Sequence, residues 1–123
     1  MAVILIVEDE VLIRLVAEMT IRDRGYQTLS AGDVDEALSI LRSSQKIDAL
    51  FTDIYLKAAI HGGCDLAQQA IELRPDLRVL YTSGNSVTDQ MKSRFVEGSL
   101  FLPKPYTEHE LQDSLQNLMA ARL

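Results

Sequence analysis

Apolar positions along the chain follow two alternating periods. Ala2 to Val7 is an unbroken apolar run rich in β-branched residues, as expected for a strand buried on both faces. Val11 to Arg24 switches to helical spacing, with Leu12, Val16 and Met19 on one stripe and Gly25 as a stop. Tyr26 to Ala31 reads as a second strand. Asp33 is placed to cap the helix that follows and Glu36 to complete a capping box, with Val34, Leu38 and Leu41 inward. Ile47 to Thr52 forms a third strand that ends at Asp53. Past a loop containing Gly62-Gly63, Leu66, Ala70 and Leu73 mark a third helix that stops before Pro75. Leu77 to Thr82 is a fourth strand. Val87, Met91 and Phe95 share one face of a short, otherwise polar helix near Val87 to Val96. Leu100 to Leu102 is a short fifth strand. Thr107 and Glu110 form a second capping box, opening a last helix with Leu111, Leu115 and Leu118 inward. Five strands and five helices in strict alternation predict a parallel sheet with helices on both faces.

Composition narrows the class without changing this picture. At 123 residues the chain has the size of one domain, with no repeat or linker to suggest a second. Its 47% hydrophobic and 24% charged residues suit a globular protein with a core. The apolar runs are too short to span a bilayer, and an acidic triplet follows Val7 where a signal peptide would continue, so no membrane association and a cytoplasmic location are expected. The single cysteine, Cys64, cannot form an internal disulfide and reads as a small packing residue. The net charge of −6 argues against a nucleic-acid partner. It also raises the question of where the carboxylates gather.

In sheets of this kind, ligands bind beyond the carboxyl ends of the strands. Glu8 and Asp9 stand there after the first strand, Asp53 after the third, Ser83 after the fourth and Lys104 after the fifth, while the second ends in Ala31-Gly32 with no reactive group. Each signal alone has a plain structural alternative. The acidic pair could complement a helix dipole, Asp53 could be a turn or cap residue, and Lys104 between Pro103 and Pro105 could mark a rigid turn. Ser83-Gly84 could be an ordinary turn. Together they make a site. Clustered carboxylates either take up protons or hold a cation, and oxygen ligands of this kind suit Mg²⁺. A lysine and a hydroxyl opposite suit a phosphoryl group, toward which Asp53 could act as a nucleophile.

Four segments resemble the receiver domains of bacterial two-component response regulators, and the resemblance runs the whole length, 1–123. They are Val7-Glu8-Asp9, Thr52-Asp53-Ile54, Tyr81-Thr82-Ser83-Gly84 and Leu102-Pro103-Lys104-Pro105-Tyr106. The resemblance implies a flavodoxin-like (βα)5 doubly wound sheet with strand order 2-1-3-4-5. It implies Asp53 as phospho-acceptor, with Mg²⁺ held by Asp9, Asp53, the backbone carbonyl of Tyr55 and, through water, Glu8. Ser83, with Thr82 as its competitor, matches the hydroxyl that moves to the phosphoryl oxygen. Lys104 would pair with the phosphate, the Lys104-Pro105 bond is expected to be cis, and Phe101 takes the aromatic switch position. The implied donor is a histidine kinase or histidine phosphotransfer protein. The implied readout runs through the fourth helix, fifth strand and fifth helix to an unknown downstream protein. Such a chain is a signalling switch more than an enzyme, and its output would be a protein contact.

Departures from the family pattern follow Asp53. Leu56-Lys57 stand where Met-Pro is usual, and the loop from Lys57 to Gly63 is about two residues longer than the commonest form. Glu8 replaces the commoner aspartate, and Phe101 lacks a tyrosine hydroxyl. His61 reads as a solvated polar residue. The lost proline and the longer loop leave room for a second reading, a non-phosphorylated pseudo-receiver acting as a protein-binding module, against which the retained Asp9, Asp53, Ser83 and Lys104 speak. A third, a flavodoxin-like cofactor protein, would need a phosphate loop after the first strand, where Glu8-Asp9-Glu10 would repel the phosphate.

Overall fold

The computed structural model describes residues 1–57 and 62–120. Strands β1 (Val3–Val7), β2 (Gln27–Ala31), β3 (Ala49–Asp53), β4 (Arg78–Ser83) and β5 (Leu100–Pro103) alternate with helices α1 (Val11–Asp23), α2 (Val34–Arg42), α3 (Gly62–Leu73), α4 (Asp89–Lys92) and α5 (Glu108–Ala120). The strands form one sheet in the order β2-β1-β3-β4-β5, every pair parallel. This is the doubly wound, flavodoxin-like (βα)5 architecture that the alternation and the resemblance predict. Strand limits differ from the sequence expectation by one or two residues. No helix among the described residues is long and apolar enough to cross a membrane.

Every residue of β1 is buried, because alternate side chains serve opposite cores. Leu5 and Val7 pack with Leu38, Leu41, Leu66 and Ala70 beneath α2 and α3. Ile4 and Ile6 pack with Ala17, Ile21, Leu111, Leu115 and Leu118 beneath α1 and α5. β1 lies between β2 and β3, so the chain leaves it in opposite directions and opens a crevice at its carboxyl end.

Both expected capping pairs form, one of them in a shifted way. Thr107 and Glu110 exchange bonds, the Glu110 amide donating to Thr107 Oγ1 at 3.0 Å and the Thr107 amide to Glu110 Oε1 at 2.9 Å. At α2 the Glu36 amide donates to Asp33 Oδ1 at 2.8 Å, but Glu36 Oε1 accepts from the Gly32 amide at 2.6 Å, one residue earlier than a box requires.

The fourth helix needs correction in its extent, and the first and third show where their apolar residues stand. The Leu12, Val16, Met19 stripe of α1 faces outward: these residues are 77%, 56% and 63% exposed. The buried face carries Ala17, Glu18, Thr20 and Ile21, and the small Ala17 lets the helix approach the β-branched Ile4 and Ile6. Leu73, at the end of α3, is 43% exposed because the helix stops as it leaves the core. The fourth helix is four residues long rather than spanning Val87 to Val96. Thr88 caps it, but the Ser93 hydroxyl then donates to the Gln90 carbonyl at 2.6 Å, a local bond of the kind that competes with helix continuation. Gly98, at φ 78°, turns the chain toward β5. Val87, Met91 and Phe95 still pack against the core as expected.

Candidate functional site

The carboxyl ends of β1, β3, β4 and β5 bring together five of the singled-out side chains. Glu8 follows β1 and is 5% exposed, Asp53 ends β3 at 7%, and Asp9 is half-buried beside them. One carboxylate oxygen from each lies within 4.8 Å of the others. Lys104, just past β5, places Nζ 2.7 Å from Glu8 Oε1 and 2.7 Å from Asp53 Oδ2. Four carboxylates (Glu8, Asp9, Glu10 and Asp53) against two lysines (Lys57 and Lys104) leave an excess of negative charge in a cleft of about 420 Å³, lined also by Tyr55 and Asn85. An all-oxygen donor set with surplus charge fits a hard divalent cation.

The electrostatics follow from burial and pairing. Desolvation pushes the Glu8 carboxyl above its ordinary value, against the pull of the Lys104 hydrogen bond. Burial would lower the Lys104 ammonium, but the hydrogen bonds to Asp53 and Glu8 outweigh it and hold the group above its ordinary value. Lys104 therefore stays a cation, and its preceding strand fixes where that charge stands. The Lys104-Pro105 bond is cis, as the resemblance implies.

The hydroxyls at the end of β4 separate cleanly. Thr82 Oγ1 donates to the Leu102 carbonyl at 2.7 Å, which ties it to β5. Ser83 is buried at the cleft end, its Oγ accepting from the Asn85 amide at 3.0 Å and donating to the Asn85 carbonyl at 3.3 Å. Ser83 has no bond to Asp53 in this arrangement. Phe101 is half-buried in β5, with its ring centroid 6.3 Å from that of Phe95, which stacks on Tyr81 at 4.1 Å. The Val96 amide donates to Tyr81 Oη at 3.1 Å, so this aromatic column holds the segment after α4. Cys64 is fully buried, a packing residue as expected. His61 lies outside the described residues.

The loop after Asp53 contributes groups that side-chain reasoning missed. The Tyr55 amide donates to Asp53 Oδ1 at 3.3 Å, and the Lys57 amide to Asp9 Oδ2 at 2.5 Å. Tyr55 Oη contacts Met91 Sδ at 3.0 Å, joining the loop to α4. Backbone amides leave no residue-type signal. Two other missed residues had one. Gly63 passes so close to the end of β3 that a Cβ there would lie 2.7 Å from Ile54 Cα and nearer still to the Asp53 carbonyl. In the sequence the Gly62-Gly63 pair marks only a loop. Arg14, in the first turns of α1, donates from Nη1 to the Glu8 carbonyl at 2.8 Å and steadies the acidic turn.

Comparison with known proteins adds an independent observation. The family model described as the response regulator receiver domain matches residues 4–116. A solved response regulator receiver protein from Sinorhizobium medicae is 30% identical, superposes with a TM-score of 0.89, and shares 99% of this chain and 97% of its own. The receiver domain of the hybrid histidine kinase CckA is 31% identical, with a TM-score of 0.80 over 96% of this chain and 99% of that one. The sensor kinase CckA of Brucella abortus is 24% identical over 96% of this chain, which spans 12% of that protein's length.

Proposed function

The chain belongs to the response regulator receiver domain family of two-component systems, and we propose that it works as a phospho-accepting switch with Asp53 as the acceptor. The observation that carries this reading is Lys104 Nζ held 2.7 Å from Asp53 Oδ2 and from Glu8 Oε1, with Asp9 completing the carboxylate group. The donor is a phosphohistidine on a histidine kinase or histidine phosphotransfer protein. An Asp53 oxygen forms the new P–O bond as the donor's P–N bond breaks, and the electron pair returns to the imidazole nitrogen, which takes a proton. Water later cleaves the acyl phosphate, regenerating the carboxylate and releasing inorganic phosphate.

Asp9, Asp53, the Tyr55 carbonyl and, through water, Glu8 are the groups that would hold Mg²⁺. Bound there, the cation neutralises charge on the transferring phosphoryl oxygens. Lys104 pairs with the phosphoryl group from the side of β5. Ser83 trades its Asn85 contacts for a phosphoryl oxygen, and Phe101 follows by changing its burial against Phe95. The readout is a contact with a downstream protein on the face of α4, β5 and α5.

The altered loop gives the pseudo-receiver reading its footing, since Leu56-Lys57 replaces the family's usual Met-Pro. One experiment separates the two: incubate wild type and Asp53→Asn with a small phosphodonor and Mg²⁺, and measure intact mass. Wild type gains one phosphoryl group, and the variant gains none. No gain in wild type rejects the phospho-accepting switch. Phosphate-mimic binding that needs neither Mg²⁺ nor Asp53 favours the binding module.

A further inference from the structure

We propose that the backbone amide of Lys57 is a positioning group for the cation site, holding one oxygen of Asp9 so that the other faces Asp53 and Glu8. The inference rests on the metal site read above and deepens it.

Asp9 is the carboxylate most in need of such a hold. Glu8 and Asp53 are buried and bonded to Lys104. Asp9 is half-buried, and its Oδ2 accepts a hydrogen bond from the Lys57 amide at 2.5 Å. A carboxylate on a flexible side chain loses rotamer freedom when it binds a cation, and a fixed donor on one oxygen removes that cost beforehand. The second oxygen keeps its lone pairs for the metal.

The same bond also orders the loop. Residues 53 to 57 are pinned at both ends of the candidate ligand set, by the Tyr55 amide on Asp53 Oδ1 at 3.3 Å and by the Lys57 amide on Asp9 Oδ2 at 2.5 Å. The Tyr55 carbonyl lies between these two anchors in the chain. One backbone N–H thus sets two ligands at once, Asp9 and the Tyr55 carbonyl. The Lys57 side chain is exposed and lines the same cleft. What matters is that the residue has an amide hydrogen, which proline would lack.

The test compares Lys57→Pro, which deletes the donor, with Lys57→Ala, which keeps it. Mg²⁺ affinity is measured by titration calorimetry and metal-free stability by thermal melting. The expected result is an affinity about tenfold or more weaker for Lys57→Pro, with Lys57→Ala within about twofold of wild type. The Lys57 amide of wild type should also stay protected from hydrogen exchange when Mg²⁺ is added. A merely structural role would lower the melting temperature of Lys57→Pro and leave its Mg²⁺ affinity unchanged, which overturns the proposal. Tighter binding by Lys57→Pro, or loss of Lys57 protection on adding Mg²⁺, also overturns it, because the amide would then compete with the cation. Failure of wild type to bind Mg²⁺ overturns this inference and the metal-site reading together.

Discussion

Lys104 Nζ, just past β5, stands 2.7 Å from Asp53 Oδ2 at the end of β3. The ammonium also bonds Glu8, so one cation holds two buried carboxylates in register. Without it they face each other with no compensating charge in a partly desolvated cleft. Lys104→Met should therefore cost about 1–3 kcal/mol of metal-free stability at neutral pH, and Mg²⁺ should recover part of the loss. Its phosphorylation by a small phosphodonor should slow by about 100-fold or more, because a fixed charge at the developing phosphoryl charge is gone. Urea unfolding with and without Mg²⁺ checks the first statement and a mass time course the second. A variant as stable and as reactive as wild type would refute this role.

Gly63 occupies its position because the backbone of β3 leaves no space for a side chain. The first atom of any side chain would run into the Asp53 carbonyl and lie 2.7 Å from Ile54 Cα. Both neighbours are main chain at and just past the end of β3, so relief means moving Asp53 itself. Gly63→Ala should destabilise by about 2–4 kcal/mol and reduce phosphorylation in the same samples. Gly25 offers the contrast. At φ 97° with nothing within 4 Å, its replacement by alanine meets only backbone strain, and should cost about 1 kcal/mol. Equal costs at the two positions would mean that crowding at Asp53 is not the cause.

Helix α1 shows where hydrophobic periodicity reads the chain correctly and where it stops. Spacing identified the helix and its end, but the stripe it picks out is not the buried face. Two apolar stripes compete on α1, and the larger side chains belong to the exposed one. Ala17 and Ile21 won the core because a close helix–sheet contact favours a small residue over bulk, a preference set by the partner surface and invisible along the helix. The same limit explains α4. Val87, Met91 and Phe95 share a face by spacing and pack against the core, yet Phe95 and Val96 reach it from outside a regular helix, held by Tyr81 on another element. Glu8, Asp9, Asp53, Ser83 and Lys104 were legible because strand ends in a parallel sheet converge whatever the details of packing. The Lys57 and Tyr55 amides were not, since every residue but proline offers one.

A direct consequence concerns substitutions on α1. Val11, Leu12, Leu15, Val16 and Met19 are 46 to 77% exposed. Replacing Leu12 or Met19 by lysine should change stability by no more than about 0.5 kcal/mol. Ile21→Ala empties a fully buried site and should cost about 2–5 kcal/mol. Denaturant midpoints for the three variants check the assignment of the two faces. A large loss for Met19→Lys would place that side chain in the core after all.

The last prediction concerns alkaline pH and the segment after α4. Tyr81 is fully buried, and burial pushes its phenol up from 10.0 to about 12, slightly offset by the hydrogen bond from the Val96 amide. In the unfolded chain the phenol ionises at its ordinary value. Below pH 10 it is neutral in both states and its contribution to stability is complete. Between pH 10 and 12 the unfolded state loses the proton first, so folding stability falls across that window, by about 2–3 kcal/mol for a shift of this size. Tyr81→Phe removes the titration, so its stability should fall less steeply with pH than that of wild type. Tyr106, also held near 12 by burial, remains in both proteins and cancels in the comparison. At neutral pH the same variant leaves the Val96 amide without its 3.1 Å acceptor, which should cost about 1 kcal/mol. Faster amide exchange at Val96 should accompany that loss, because the Tyr81 hydroxyl is what fixes this segment to β4. Urea midpoints from pH 7 to 11.5 decide the matter: parallel curves for wild type and Tyr81→Phe would show that the buried phenol does not control the alkaline limb.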